Sequence, residues 1–390
     1  NGGNITTGGI QTFTGATTLG ADAVLTGTNV TFDDTLAGGF NLTVNGSGQT
    51  LFDATVATLA SLTTDVDGTV VFNGDVTTTG EQTFRDAATL NADAIFTSTG
   101  NANITFGNTL DGTQTLTVST SGETTFGGIV GGTSNLTSLT TNTGGTTNLN
   151  GGNITTNVSQ SFGDAVRLGA NATLTAGTDV TFSNTLDGSQ DLIITASGTT
   201  TFFGAVGDGT SLSSLTTTGG GTTVLAGSNI ITSGTQTYND AVTLNGDTLL
   251  QGTTINLSST VNGTTANVDG LTITGNAVLG NVVGGTTPLE FITVSGTSAL
   301  NGGNITTGGI QTFTGNATLG ADAVLTGTNI TFDDALAGGF NLTVNGSGQT
   351  LFDSTVATLA SLTTDVDGTV VFNGDVTTTG EQTFRDAATL

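Results

Sequence analysis

Residues 1–90 and 301–390 are the same ninety-residue text with five changes: Ala16/Asn316, Thr17/Ala317, Val30/Ile330, Thr35/Ala335 and Ala54/Ser354. A 300-residue super-repeat therefore governs the chain, and internal repetition constrains a fold before any local propensity does. A shorter period lies inside it. Gln11-Thr12-Phe13 returns as Gln82-Thr83-Phe84, Gln160-Ser161-Phe162, Gln236-Thr237-Tyr238 and Gln311-Thr312-Phe313, in steps of 71, 78, 76 and 75. A second marker follows at Thr31-Phe32, Thr105-Phe106, Thr181-Phe182 and Asn256-Leu257. These markers divide the chain into modules at about 11–81, 82–159, 160–235, 236–310 and 311–390, with 1–10 closing a preceding module. A third period is set by phenylalanine. Phe13, Phe32, Phe52 and Phe72 are 19, 20 and 20 apart, and Phe162, Phe182 and Phe202 are 20 and 20 apart. Phe313, Phe332, Phe352 and Phe372 repeat the first series, and Phe106 and Phe126 are a further pair at 20. The series breaks with a step of 12 from Phe72 to Phe84. Two readings of that step stay open: a short turn, or transfer of the aromatic to another face.

The local pattern is that of strands. Asn41-Leu42-Thr43-Val44, Thr69-Val70-Val71-Phe72, Thr115-Leu116-Thr117-Val118 and Leu271-Thr272-Ile273-Thr274 alternate with period two. Asn45-Gly46, Asp67-Gly68, Asn73-Gly74 and Asp111-Gly112 punctuate them as turns. The dominant residues, 92 Thr and 62 Gly among them, are poor helix formers. Short strands in coils of about 20 residues predict an all-β parallel β-solenoid, a three-sided right-handed β-helix running through 1–390 as one continuous rod. Each coil then climbs one strand spacing, about 4.8 Å, so residues one coil apart stack. The expected core ladder is Phe13, Phe32, Phe52, Phe72, Phe106, Phe126, Phe162, Phe182, Phe202, Phe313, Phe332, Phe352 and Phe372. Pro288 is the only proline, which suits a backbone donating hydrogen bonds nearly everywhere.

Composition removes whole classes of chemistry. There is no Cys, His or Lys, so thiol nucleophiles, disulfides, imidazole-based metal sites and Schiff bases are absent. The lack of Cys reads either as chance in a Thr/Gly-rich repeat or as the mark of a protein exported unfolded. The net charge is −27, with Arg85, Arg167 and Arg385 as the only cations. That balance excludes nucleic acid and anionic membrane surfaces as partners, and suits salty water or bound divalent cations. No apolar run reaches the roughly 18 residues of a membrane span. Asn1-Gly2-Gly3-Asn4 does not read as a signal peptide, and the missing initiator Met points to an interior piece of a longer chain.

The run Gly-Gly-Thr-Thr-Pro-Leu at 284–289, then Leu300-Asn301-Gly302-Gly303-Asn304-Ile305-Thr306-Thr307 and Gln311-Thr312-Phe313, resembles the large bacterial surface exoproteins of the filamentous-haemagglutinin and autotransporter-adhesin type. The likeness is one of repeat style over essentially the whole chain. It implies a secreted right-handed β-helix displayed on a Gram-negative-type surface. The near-identity of 1–90 and 301–390 adds the expectation of a stalk or fibre.

Candidate sites are few. Asp33-Asp34, Asp333-Asp334, Asp65-Val66-Asp67-Gly68 and Asp365-Val366-Asp367-Gly368 offer clustered oxygens to a structural Ca²⁺, or are solvated turns. The other modules put Asn142-Thr143-Gly144-Gly145 and Thr218-Gly219-Gly220-Gly221 at the place of Asp65–Gly68. No catalytic or cofactor-binding residue is assigned, and the expected protein is not an enzyme. Carbohydrate cleavage needs at least two positioned carboxylates, usually with Arg or Lys for acidic sugars; carboxylates are plentiful here, but basic residues are not. Thr77-Thr78-Thr79, Thr199-Thr200-Thr201 and Thr216-Thr217-Thr218 are the candidates for a flat Thr array of the ice-binding kind. Asn-x-Thr sequons such as Asn4-Ile5-Thr6 arise from composition. Arg85 with Asp86, and Arg385 with Asp386, read as surface ion pairs. The sequence thus predicts an extracellular structural repeat of a giant cell-surface protein that self-associates end to end or laterally. The alternatives are the rod of an adhesin whose binding tip lies elsewhere, or a polysaccharide-binding or lytic solenoid.

Overall fold

A computed structural model describes residues 3–227 and 229–390, and its strands are parallel throughout, with no helix among the described residues. Strand formation follows from alternation. In Asn41–Gly46, Leu42 and Val44 point inward at 0 % exposure, while Asn41, Thr43 and Asn45 face outward. Partners in neighbouring strands lie one coil apart in sequence, as in Leu42 against Leu62 and Phe52 against Phe72. The chain is therefore a β-solenoid with coils of roughly 20 residues. It divides into two compact units, 1–196 and 197–390.

In the first unit each coil contributes to three ladders. The first ladder runs from Ile5–Thr6 through Ala23–Gly27, Asn41–Gly46, Ser61–Thr64 and Gln82–Phe84 to Leu186–Asp187. The second contains Gln11–Phe13, Val30–Phe32, Gln49–Phe52, Thr69–Phe72 and Ala87–Leu90. It passes through single bridges at Val130 to Ile154–Thr156 and Ala172–Ala176. The third contains Val56–Leu59, Val76–Thr78, Ala94–Ser98, Ser138–Thr141 and Gln160–Phe162.

The second unit is also three-sided. Ile292–Val294, Gln311–Phe313 and Ile330–Phe332 follow one another in one ladder. Ser298–Leu300, Ala317–Leu319 and Leu336–Ala337 follow in another. Ile305–Thr306, Ala323–Gly327 and Asn341–Gly346 make the third. Two of these sides join without interruption in the long strands Thr248–Leu257 and Leu271–Leu279. The corner inside the latter is Gly275, at φ +130°, where an added Cβ would collide with the Gly252 carbonyl oxygen. Only glycine fits there.

The core is an aromatic and aliphatic column. Phe13, Phe32, Phe52 and Phe72 stack in the second ladder with centroids 4.9, 5.4 and 5.5 Å apart and planes within 10° of parallel. Phe313, Phe332, Phe352 and Phe372 stack likewise in the second unit at 5.1, 5.5 and 5.2 Å, with planes within 19° of parallel. Such pairs contribute about 0.5–1.5 kcal/mol each beyond the area they bury. The step of 12 is not a short coil. Gln82 pairs with Leu62, one whole coil back, and Phe84 lies in the first ladder. The aromatic has changed sides, while Leu90 continues the column above Phe72. Phe96, in the third ladder, completes the transfer. Phe72, Phe84 and Phe96 form an edge-to-face trio with centroids 4.9–5.5 Å apart, after which the column continues in the first ladder, Phe106 tilted by 35° on Phe84 and stacked on Phe126.

The marker strands move in the same way. Gln82–Phe84 is the eleventh strand after Gln11–Phe13, and Gln382–Thr383 is the eleventh after Gln311–Phe313. Eleven strands are four coils less one side. Within the first unit the marker therefore appears in the second, first and third ladders in turn, at Gln11, Gln82 and Gln160.

Candidate functional site

The marker glutamine is a core residue. Gln82, Gln160, Gln236 and Gln311 are at most 1 % exposed, and Gln11 is nearly so. A buried carboxamide has to be paired, and the pairing recurs from module to module. The Gln82 Nε2 donates to the Val76 carbonyl at 3.3 Å, to Thr78 Oγ1 at 3.2 Å and to the Thr97 carbonyl of the next coil at 2.9 Å. Gln160 binds the Ile154 and Thr175 carbonyls, and Gln311 those of Ile305 and Thr326, at the same offsets. The clasp thus ties two successive coils. Its oxygen fares worse: Oε1 of Gln11, Gln82, Gln160 and Gln311 is buried without a partner. In the remaining module the position two residues on is Tyr238, and its hydroxyl donates to Gln236 Oε1 at 2.8 Å. Burial holds that hydroxyl protonated far above its usual range.

A second recurrent device sits at the corners. Asn and Asp side chains accept backbone N–H groups of the following coil: Asp22 from Asn41 at 2.9 Å, Asn29 from Gln49 at 3.0 Å and Asp75 from Ile95 at 2.8 Å. Asp93 takes Thr115 at 2.8 Å, and Asn171 takes Asp191 at 3.0 Å. In the second unit Asp322 and Asn329 repeat the contacts of Asp22 and Asn29. Corners leave strand N–H groups without ladder partners, and these carboxylates and amides satisfy them. The N–H and side-chain amide of Asn41 hold the Asp22 carboxyl below its usual value, and Asn341 does so for Asp322.

The calcium candidates separate on inspection. Asp33, Asp34, Asp333 and Asp334 are exposed; Asp34 Oδ1 accepts the Thr35 N–H at 2.6 Å and Asp334 that of Ala335 at 2.8 Å, an ordinary turn. Asp67 and Asp367 are also exposed, whereas Asp65 and Asp365 are half-buried. Among the described residues no group of three or more acidic side chains is gathered to hold a metal ion.

Two readings of the sequence need correction. Asp86 and Asp386 are not surface ion-pair partners. They are 1 % and 7 % exposed, and Oδ1 of each accepts a backbone N–H, from Gly68 at 2.9 Å and Gly368 at 3.2 Å. The cause is that each lies at an inner corner, against the turn of the preceding coil, while its neighbour Arg85 or Arg385 points outward. The Thr triplets are not flat arrays either. Their middle residues, Thr78, Thr200 and Thr217, point into the core at 0–1 % exposure, because alternation sends every second side chain inward. One outward Thr column is instead single: Thr43, Thr63, Thr83, Thr105 and Thr125, in register over successive coils of the first ladder.

Three shallow grooves stand out among the described residues. One in the first unit, about 380 Å³, is lined by Ile5, Phe13, Leu19, Leu25 and Phe32. In the second, one of about 540 Å³ is lined by Phe372, Val376, Phe384 and Leu390. Both expose core residues of a first or last coil. A third, about 310 Å³, lies between Asp75, Asp93, Ile95, Thr115 and Thr117. In comparisons with known proteins, no family model matches the chain, and no curated protein or solved structure is significantly similar to it.

Proposed function

We propose that this chain is a structural repeat of a large secreted cell-surface protein, whose coils build an extracellular fibre, stalk or sheath. The observation that carries this reading is the use made of the polar side chains. Carboxylates and amides at the corners, and carboxamides in the core, bind backbone groups of the next coil. They are coil-to-coil fasteners. A coil fastened in this way presents the same ladder edge that it satisfies, so length grows by repetition at constant stability per coil. The near-identical copies at 1–90 and 301–390 fit such a mechanical element.

The partners on this reading are further copies of the chain, end to end or side by side, with outward columns such as Thr43 to Thr125 as neutral contact faces. Polyanions are repelled by the net charge of −27. The location is extracellular, where salt screens that charge.

Electron microscopy of the purified full chain across salt concentrations, with antibody labelling of intact producing cells, tests the proposal. Ordered filaments or lateral arrays and a label accessible without lysis are expected. Single particles under every condition, with the label reached only after lysis, overturn it.

A further inference from the structure

The orphaned oxygen of the marker glutamine has a companion. Register carries Gln11 through Val30 to Thr50, Gln82 through Ile104 to Thr124, and Gln311 through Ile330 to Thr350, two coils on in the same inward column. Thr50, Thr124 and Thr350 are each 0 % exposed. Each of these hydroxyls, like Oε1 of each of the three glutamines, is buried without a hydrogen-bond partner. The module of Gln236 differs in both respects. There the Tyr238 hydroxyl donates to Oε1, and the column runs through Ile255 to Ala277, which has no hydroxyl. Where the glutamine oxygen is satisfied directly, the threonine is gone. Strand propensity does not require these threonines, since valine is equally β-branched and buries no hydroxyl.

The spacing shows what the two groups can share. Nε2 of Gln11, Gln82 and Gln311 donates to the carbonyls of Thr26, Thr97 and Thr326 in the next coil, at 2.7, 2.9 and 2.8 Å. The carboxamide therefore lies at the level of that coil. Thr50, Thr124 and Thr350 belong to the coil after it, in which Asn45, Ser119 and Asn345 stand opposite Thr26, Thr97 and Thr326. One strand spacing, about 4.8 Å, separates the two levels. That is too long for a hydrogen bond and suits two of them end to end through one small molecule. Small residues leave room beside both groups. A Cβ on Gly27 would come 3.2 Å from Gln11 Nε2, and one on Gly46, its register partner, 3.0 Å from Thr50 Oγ1. Gly327 and Gly346 repeat this at 3.3 Å from Gln311 Nε2 and 2.8 Å from Thr350 Oγ1. Neither the carboxamide nor the hydroxyl is charged, so the pair selects no ion. The molecule between them has to donate to Oε1 and to accept from, or donate to, a hydroxyl. Water does both.

We propose that one internal water joins Gln11 Oε1 to Thr50 Oγ1, a second Gln82 Oε1 to Thr124 Oγ1 and a third Gln311 Oε1 to Thr350 Oγ1, and that the Tyr238 hydroxyl stands in for such a water in the module of Gln236. Each water donates to the carboxamide oxygen and accepts the threonine proton. The glutamine clasp, which ties two coils by itself, thereby reaches a third.

Oxygen-17 magnetic relaxation dispersion, which counts long-lived internal waters, tests this on the full chain together with thermal melting. The near-isosteric triple variant T50V/T124V/T350V is expected to hold three waters fewer than the wild type and to melt lower. Y238F/A277T builds the absent pair and is expected to hold one water more than Y238F alone. A count unchanged in the triple variant, a triple variant that melts higher, as the removal of unpartnered hydroxyls from a dry core would make it, or no added water in Y238F/A277T would each overturn the shared water.

Discussion

The hydroxyl of Tyr238 is the clearest single-residue experiment within the molecule. Five modules carry the same buried glutamine, and one places a phenol beside its oxygen. Tyr238→Phe recreates the arrangement of the other four and leaves Gln236 Oε1 unpaired. We expect a loss of about 1 kcal/mol, the net worth of a buried hydrogen bond, read from denaturant unfolding at unchanged m-value. Phe84→Tyr, in the reverse sense, is expected to stabilise by a similar amount. Should both changes prove neutral, the unpaired oxygens are satisfied by internal water. None of this chemistry was legible in the sequence. Gln11-Thr12-Phe13 announces a period, but a carboxamide reads as a surface group until its partners six positions back and fifteen ahead are known. Asp86 was misread for the same reason: beside Arg85 it looks like half of an ion pair, and only the coil beneath it supplies the Gly68 N–H.

At the scale of the strand, corner geometry decides what is tolerated. Gly275 lets one strand turn from one side to the next under the Gly252 carbonyl. Gly275→Ala combines a left-handed φ with a backbone collision, and is expected to cost about 1–3 kcal/mol, with the loss of amide protection concentrated in 248–257 and 271–279. An unchanged exchange pattern would refute the close approach. The strands themselves are the part of the fold most readable beforehand, because period-two alternation with Gly and Asn punctuation has few other solutions. The evenly spaced Phe series fixes the coil length equally well. The step from Phe72 to Phe84 could not be decided in that way, since a short coil and a change of side give the same spacing. Register settles it: Gln82 stands opposite Leu62.

For the whole molecule the dominant long-range term is charge. With a net charge of −27 and three arginines, coil-on-coil stacking places carboxylates at close intervals, and self-repulsion opposes the fold. Raising NaCl from low to near-molar concentration at neutral pH shortens the screening length from about 30 Å to about 3 Å. The expected result is a melting temperature that climbs with salt, equally for chloride salts of Na⁺ and K⁺. A flat response would mean that the repulsion is already relieved by bound ions. Eleven strands wrapped three to a turn have one last implication. Because three does not divide eleven, no flank keeps a fixed chemical identity, and whatever one module shows on its exterior the next shows a third of a revolution away. Within each unit, a ligand that recognised one such exterior would meet it on a different flank from module to module.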